Sequence, residues 1–278
     1  MNATEENSQA NAELKGKHRA MWALGDYPAV ASTVIPDLGA VLVAAVGITA
    51  GDRVLDIAAG AGNAAIPAAL IGADVVACDL TPELLESGRL RAEQRGTDLE
   101  WREADAEALP FSDGEFDKVI SCLGVMFAPH HQASADELVR VCRPGGTIGL
   151  INWTPEGFVG QMLATTKPYV APPPTGTLPP PLWGDADHVS RLLGERVTDL
   201  VAERRTVTVD CFASAEAFRE FFKSNYGPTV AAYRSIKDEP LKVVALDADL
   251  AELARRFDRG IEGTVMDWEY LLVTARRR

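Results

Sequence analysis

The residues best placed to do chemistry lie in the run Arg53-Val54-Leu55-Asp56-Ile57-Ala58-Ala59-Gly60-Ala61-Gly62-Asn63. Val54 to Ile57 is a short apolar run of the kind a buried strand shows, and it breaks into a turn of alanine and glycine that opens on the helical pattern Ala64 to Ile71. Such a strand–loop–helix unit can hold a nucleotide. With no side chain at Gly60 or Gly62 a ligand reaches the backbone N–H groups, and glycine takes backbone angles closed to other residues. The spacing Gly60-x-Gly62-x-x-Ala65 also fits the dinucleotide fingerprint, which keeps an NAD- or FAD-binding oxidoreductase as the alternative. Two carboxylates separate the readings. Asp56, at the carboxyl end of the strand, sits poorly beside a pyrophosphate and suits a ligand with an ammonium group and no phosphate. Asp79, closing the second apolar run Asp74-Val75-Val76-Ala77-Cys78, suits ribose hydroxyls in either case.

These positions need a scaffold, and the chain supplies one. Thr81-Pro82-Glu83 gives a cap, a first-turn proline and an early acid for a helix that Gly96 stops. Leu99 to Ala104 alternates as a third strand and delivers Asp105 to the sheet edge. Phe116 to Cys122 reads as a fourth strand, Ser134-x-x-Glu137 as a capping box, and Thr147 to Asn152 as a fifth strand. Strands alternating with helices predict a doubly wound α/β fold with a parallel sheet, whose ligands lie outside the strands' carboxyl ends. Ahead of this core, Val34 to Val46 reads as one amphipathic helix, and residues 1 to about 12 as a mobile tail.

Beyond Asn152 the rhythm breaks. Pro172-Pro173-Pro174 and Pro179-Pro180-Pro181 read as a stiff loop. Arg205 to Asp210 and Trp268 to Ala275 read as strands, and Ser214 to about Phe257 is helical with a break at Gly227-Pro228. The expected division is an N-terminal helical segment over 1–46, a cofactor-binding core over 47–154, and a cap with two strands over 155–278.

Five stretches in order carry a family resemblance: Asp56-x-Ala58-x-Gly60-x-Gly62, Asp79, Ala104 to Phe111, Phe116 to Ser121, and Leu138-Val139-Arg140-Val141-Cys142-Arg143-Pro144-Gly145-Gly146. Together they resemble class I S-adenosylmethionine-dependent methyltransferases, nearest the branch of ubiquinone and menaquinone biosynthesis. Ala58 stands where that family usually has glycine. The resemblance implies a Rossmann-like seven-stranded sheet, mostly parallel, with a C-terminal antiparallel hairpin, a helical cap, and S-adenosylmethionine as cofactor. It further implies that the backbone near Ala58 and Gly60 takes the methionine part, Asp79 the ribose diol, Leu80 one adenine face, and Asp105 with Ala106 the adenine edge. Cys122 would border the same site, and the segment holding Trp22 and Tyr27 would fold over it. A protein that binds S-adenosylmethionine without methyl transfer is a further alternative.

Methyl transfer asks a protein mainly for orientation, proximity and exclusion of water. For a general base, His130 and His131 follow the fourth strand, and histidine titrates in the useful range; against this, neighbouring histidines in a proline-containing loop are more often simply exposed polar residues. Trp153, Phe222 and Tyr226 are expected around a flat or apolar small-molecule acceptor; Tyr226 and Tyr233, at helical spacing, are equally well read as core, and packing under the cap also accounts for Trp153.

Composition narrows the partners. The chain has 27 basic and 40 acidic residues and a net charge of −13, which opposes a nucleic-acid backbone. Cys78, Cys122, Cys142 and Cys211 lie far apart with no C-x-x-C pair, so buried free thiols are expected and no metal site. The polar first residues lack the apolar core of a signal peptide, and no run reaches the roughly 18 apolar residues of a membrane span. A cytoplasmic enzyme is therefore expected, with a homodimer open to it.

Overall fold

The structure, a computed structural model, describes residues 3–278, with side chains from residue 9 onward. Its chain begins with the helices α1 (Ala3–Trp22), α2 (Tyr27–Val34) and α3 (Leu38–Val46). The stretch expected as a tail is thus helical from Ala3 onward; residues 1–2 lie outside the described part. The single helix expected over 34–46 is divided because Pro36 lacks an amide and pushes Ile35 out of the helical region, to φ −137°. Asp26 caps α2 by accepting from Ala29 N–H at 3.0 Å, and Gly47 ends α3 in the left-handed region.

The α/β core follows as β1 (Arg53–Ile57), α4 (Ala65–Leu70), β2 (Asp74–Asp79), α5 (Pro82–Gln94), β3 (Glu100–Glu103), β4 (Phe116–Cys122), α6 (His131–Val141) and β5 (Cys142–Trp153). After α7 (Phe158–Thr166) and α8 (Ala186–Leu193), the long strands β6 (Val197–Val209) and β7 (Met266–Arg277) flank three helices: α9 (Ala215–Asn225), α10 (Gly227–Ser235) and α11 (Pro240–Phe257). The sheet runs β3-β2-β1-β4-β5-β7-β6. Its first five strands are parallel, and β7 is antiparallel to both β5 and β6. This is the doubly wound, mostly parallel seven-stranded sheet with a C-terminal antiparallel pair.

Register places the chemistry. Ile57 pairs with Cys78 and Asp79 with Glu103, so the carboxyl ends of β1, β2 and β3 share one edge, where Cys122 ends β4. The interior strands are apolar because helices cover both faces; Val54, Leu55, Val76, Val119 and Ile120 are fully buried.

Some local readings needed correcting. Ser134 is not a cap: α6 opens one turn earlier, with His130 at the N-cap, Ser134 N–H bonded to the His130 carbonyl at 3.2 Å, and Glu137 drawn to Arg140 Nε at 2.6 Å. The break near Gly227 stands, with extended Tyr226 between α9 and α10. Helix α8 was not foreseen, and β6 starts eight residues before the strand expected at Arg205. Cys211 is exposed, whereas Cys78 and Cys142 are buried free thiols. Among the described residues no single helix is long and apolar enough to cross a membrane, and no metal-holding cluster of His, Cys, Asp or Glu side chains is found.

Candidate active site

The loop after β1 takes left-handed angles at Ala58 (φ 52°), Gly60 (φ 55°) and Gly62 (φ 80°). At Gly62 a Cβ would also stand 2.7 Å from the Trp101 ring, so glycine is demanded twice. Two buried carboxylates shape this loop from behind. Asp79 Oδ2 accepts from Gly60 N–H at 2.9 Å while its Oδ1 accepts from Thr81 N–H at 2.8 Å. Asp56 Oδ2 accepts from Ala65 N–H at 2.9 Å, at the start of α4. Burial raises both carboxyls, Asp56 to about 8 with the neighbouring Asp79 charge adding, against the N–H groups that hold each one down.

Above the loop lies an open-mouthed cavity. Ala58, Gly60, Asp79, Leu80, Asp105, Ala106, Cys122 and Gly124 are among the residues that line it. The sequence-predicted cofactor residues Tyr27, Ala58, Gly60, Asp79, Leu80, Asp105, Ala106 and Cys122 therefore converge. Asp56 does not line this cavity: it organises the loop from beneath, and its buried Oδ1 has no partner. Asp56, expected among the cofactor-binding residues, is thus set apart from the cavity lining and acts on the loop that forms it.

The histidines were misplaced too. His131 is fully buried at the start of α6, with Nδ1 3.0 Å from His188 Nε2 and its ring against Trp183; burial pushes it down to about 4. His130 turns to Glu107, with Nδ1 2.9 Å from Oε2. Neither lines the cavity, so neither is placed to take a proton there. A histidine that does line it is His18 on α1, with Lys15 and Trp22. Residues 15, 18 and 22 share one helix face, the spacing that would have revealed them.

Whether the cavity suits S-adenosylmethionine turns on its charges. Among the described residues Lys15 is the lone lysine or arginine lining it, and both Asp105 Oδ1 (2.7 Å) and Glu107 Oε2 (2.6 Å) engage its ammonium. The Gly60 N–H that a pyrophosphate would need already serves Asp79. Each Asp79 oxygen keeps a further lone pair for a hydroxyl donor. The site fits a phosphate-free nucleoside with a cationic tail and disfavours a dinucleotide.

A second, smaller apolar cavity shares Tyr27, Leu123 and Phe127 with the first. Trp153, Phe222 and Tyr226, the expected acceptor residues, meet here with Trp268. Trp22 packs edge-on against Tyr27, Phe127 and Tyr226, with ring centroids 5.5, 4.7 and 5.8 Å away. Tyr233 lies outside this cavity and donates its hydroxyl to Asp247 at 2.6 Å, a bond within the cap.

The family follows from the chain's relatives. A methyltransferase-domain model matches residues 54–146. The uncharacterized protein Rv1405c of Mycobacterium tuberculosis is 55% identical over 266 residues, covering 95% of this chain and 96% of that protein. Demethylmenaquinone methyltransferase of Thermus thermophilus is 39% identical over 105 residues, 37% of this chain and 48% of that enzyme. In fold, the chain is similar to Haemonchus contortus phosphoethanolamine N-methyltransferase 2, solved with S-adenosylhomocysteine; the TM-score is 0.53 at 15% identity, over 86% of this chain and 52% of that one. The chain belongs to the class I S-adenosylmethionine-dependent methyltransferases, and S-adenosylmethionine is its cofactor.

Proposed function

We propose that this enzyme methylates a small, flat, largely apolar acceptor seated in the second cavity, at an oxygen, carbon or nitrogen nucleophile, with quinone-like and aromatic secondary-metabolite compounds as the fitting class. The observation that carries this reading is the shared wall: Tyr27, Leu123 and Phe127 line both cavities, so an acceptor packed among Trp153, Phe222 and Tyr226 abuts the cofactor site.

When bound, S-adenosylmethionine supplies an electrophilic methyl group on a sulfonium. The protein's part is placement. Asp79 fixes the Gly60 loop and offers acceptors to a ribose diol; Leu80 and Ala106 flank a base. Aromatic faces at Trp22, Tyr27 and Phe127 attract positive charge by roughly 0.5–2 kcal/mol and keep water from the junction. Burial holds the Tyr27 phenol well above its usual range, so it stays a neutral hydroxyl at neutral pH. Holding two reactants in line accounts for much of the barrier reduction without a strong base at the site.

Candidate phenols, quinols and amines incubated with methyl-labelled cofactor and read by mass test the reading directly. Phe222→Ala or Tyr226→Ala is expected to raise the acceptor's KM by about tenfold, while the Kd for S-adenosylhomocysteine stays within about a factor of two, because the two binding free energies are separable. Lost cofactor affinity with unchanged acceptor kinetics would overturn the acceptor assignment.

A further inference from the structure

The outer wall of the cofactor cavity is α1, and a buried ion-pair cluster fastens it there. Lys15 is 8% exposed, and its ammonium lies 2.7 Å from Asp105 Oδ1 and 2.6 Å from Glu107 Oε2. Glu107, with its side chain 6% exposed, also accepts from His130 N–H at 2.7 Å through Oε1. The backbone N–H of Glu107 donates to the same Asp105 Oδ1 at 2.9 Å. Two donors, one from the loop and one from α1, therefore saturate Oδ1 and fix the plane of the Asp105 carboxylate. The other oxygen is the one left for a ligand. A second ion pair, Arg19 to Glu103 at 3.0 Å, also joins α1 to the sheet edge, but both partners are largely exposed and Arg19 does not line the cavity.

We propose that Lys15 is a positioning residue for the nucleobase: it sets the Asp105 carboxylate to accept from the exocyclic amine of adenine and couples closure of α1 to that recognition. This rests on Asp105 standing at the base end of the cofactor site. A lysine that merely anchored α1 would strengthen binding of any nucleoside that fits the cavity. A lysine that orients Asp105 must also govern discrimination between an amine and a carbonyl oxygen at the base edge, because a carboxylate accepts from the first and repels the second. Removing Lys15 frees Asp105 to rotate and opens the adjacent wall. His130 then has its role through Glu107, as part of the same cluster.

The test compares S-adenosylhomocysteine with S-inosylhomocysteine, in which a carbonyl oxygen replaces the exocyclic amine, by calorimetry on the full chain. Wild type should prefer the adenosyl compound by at least about tenfold. Lys15→Met should weaken S-adenosylhomocysteine by about tenfold and bring the preference down to about threefold or less, and Lys15→Arg should restore part of both. Arg19→Met, which breaks the exposed pair, should leave affinity and preference within about twofold of wild type. Hydrogen exchange in α1 should lose its cofactor-induced protection in Lys15→Met and keep it in Arg19→Met. Should Lys15→Met unfold α1 outright, Asp105→Asn keeps the question open to measurement: it must lower the same preference, and combining it with Lys15→Arg must add nothing further. An unchanged preference in both Lys15→Met and Asp105→Asn, or equal losses in Lys15→Met and Arg19→Met, would overturn the proposal. Failure of wild type to bind S-adenosylhomocysteine would instead strike at the cofactor.

Discussion

Ala58 is a local strain point at the centre of the site. Its φ of 52° is the left-handed conformation that costs an L-residue roughly 1–2 kcal/mol and glycine almost nothing. Glycine also gives up more chain entropy on folding, which offsets about half of that. Ala58→Gly is therefore expected to leave the fold intact and raise Tm by about 1–4 °C in a thermal melt; a lower Tm would show that the methyl group packs usefully against Gly124, whose own Cβ would stand 2.8 Å from it. Asp79 is the opposite case. Its carboxylate serves two backbone donors, so Asp79→Ala leaves buried N–H groups of Gly60 and Thr81 unpaired and removes the acceptor proposed for the ribose diol. Each such loss costs about 1–3 kcal/mol. Asp79→Ala should weaken S-adenosylhomocysteine at least about tenfold more than Asp105→Ala does, and equal Kd values would contradict that ranking. At this scale the sequence exposed what a strand end forces: Asp79, Gly60 and Asp105 occupy positions that the alternation of strand and helix defines. Lys15 and Glu107 were hidden because their link spans more than 90 positions and has no period in the chain.

Helix α8 explains why His131 lies buried rather than at the active edge. Read locally, His130-His131 before an amphipathic helix looks like a loop pair near an active edge. The partner that buries His131 comes 57 residues later, on α8, whose Val189, Leu192 and Leu193 face inward. The element's sequence carries that apolar stripe, but a proline-rich approach masked it. Its energetics are titratable. Burial holds His131 at about 4 and also lowers His188, against an unfolded value near 6.5. Below pH 6.5 the unfolded chain binds protons that the folded pair refuses. Stability from this contact is thus complete above about pH 6.5 and is lost as pH falls toward 4. Arg191 disfavours protonation of His188 and Asp185 favours it, while the adjacent His130 adds to the depression at His131. The Tm difference between pH 7.5 and 5.0 should therefore be smaller in His131→Phe than in wild type. It should not vanish, because His18 is also shifted down by burial. An unchanged difference would mean that the pair opens to solvent without cost.

The two cavities, rather than either alone, define what the whole molecule does. The parallel strands supply one through their carboxyl ends. The C-terminal pair and cap supply the other through Trp268 on β7 and Phe222 on α9, with Tyr226 where α9 and α10 meet. The architecture was legible from strand–helix alternation. The grouping of Trp153, Phe222 and Tyr226 was expected; that Tyr27 and Trp268 join them was not, since only the antiparallel placement of β7 beside β5 brings Trp268 to Trp153, with ring centroids 5.8 Å apart. A wall common to both sites makes their occupancies interdependent. Tyr27 is its centre: it opens α2, its ring lies 3.6 Å from where a Gly60 side chain would begin, and it touches both cavities. Deleting its ring merges the two spaces, and each ligand loses a face of contact. Tyr27→Ala is therefore expected to raise both the Kd for S-adenosylhomocysteine and the KM for the acceptor, each by about tenfold or more, since a buried aromatic truncation costs a few kcal/mol. Phe222→Ala should move the acceptor constant alone, and Asp79→Asn chiefly the cofactor constant. Calorimetry of S-adenosylhomocysteine with and without acceptor reads the coupling: in wild type each ligand should tighten the other by the same factor, as reciprocity of binding requires. In Tyr27→Ala that factor should fall toward one. If it persists in Tyr27→Ala, the coupling runs through Leu123 and Phe127 instead, and the tyrosine serves the cofactor only.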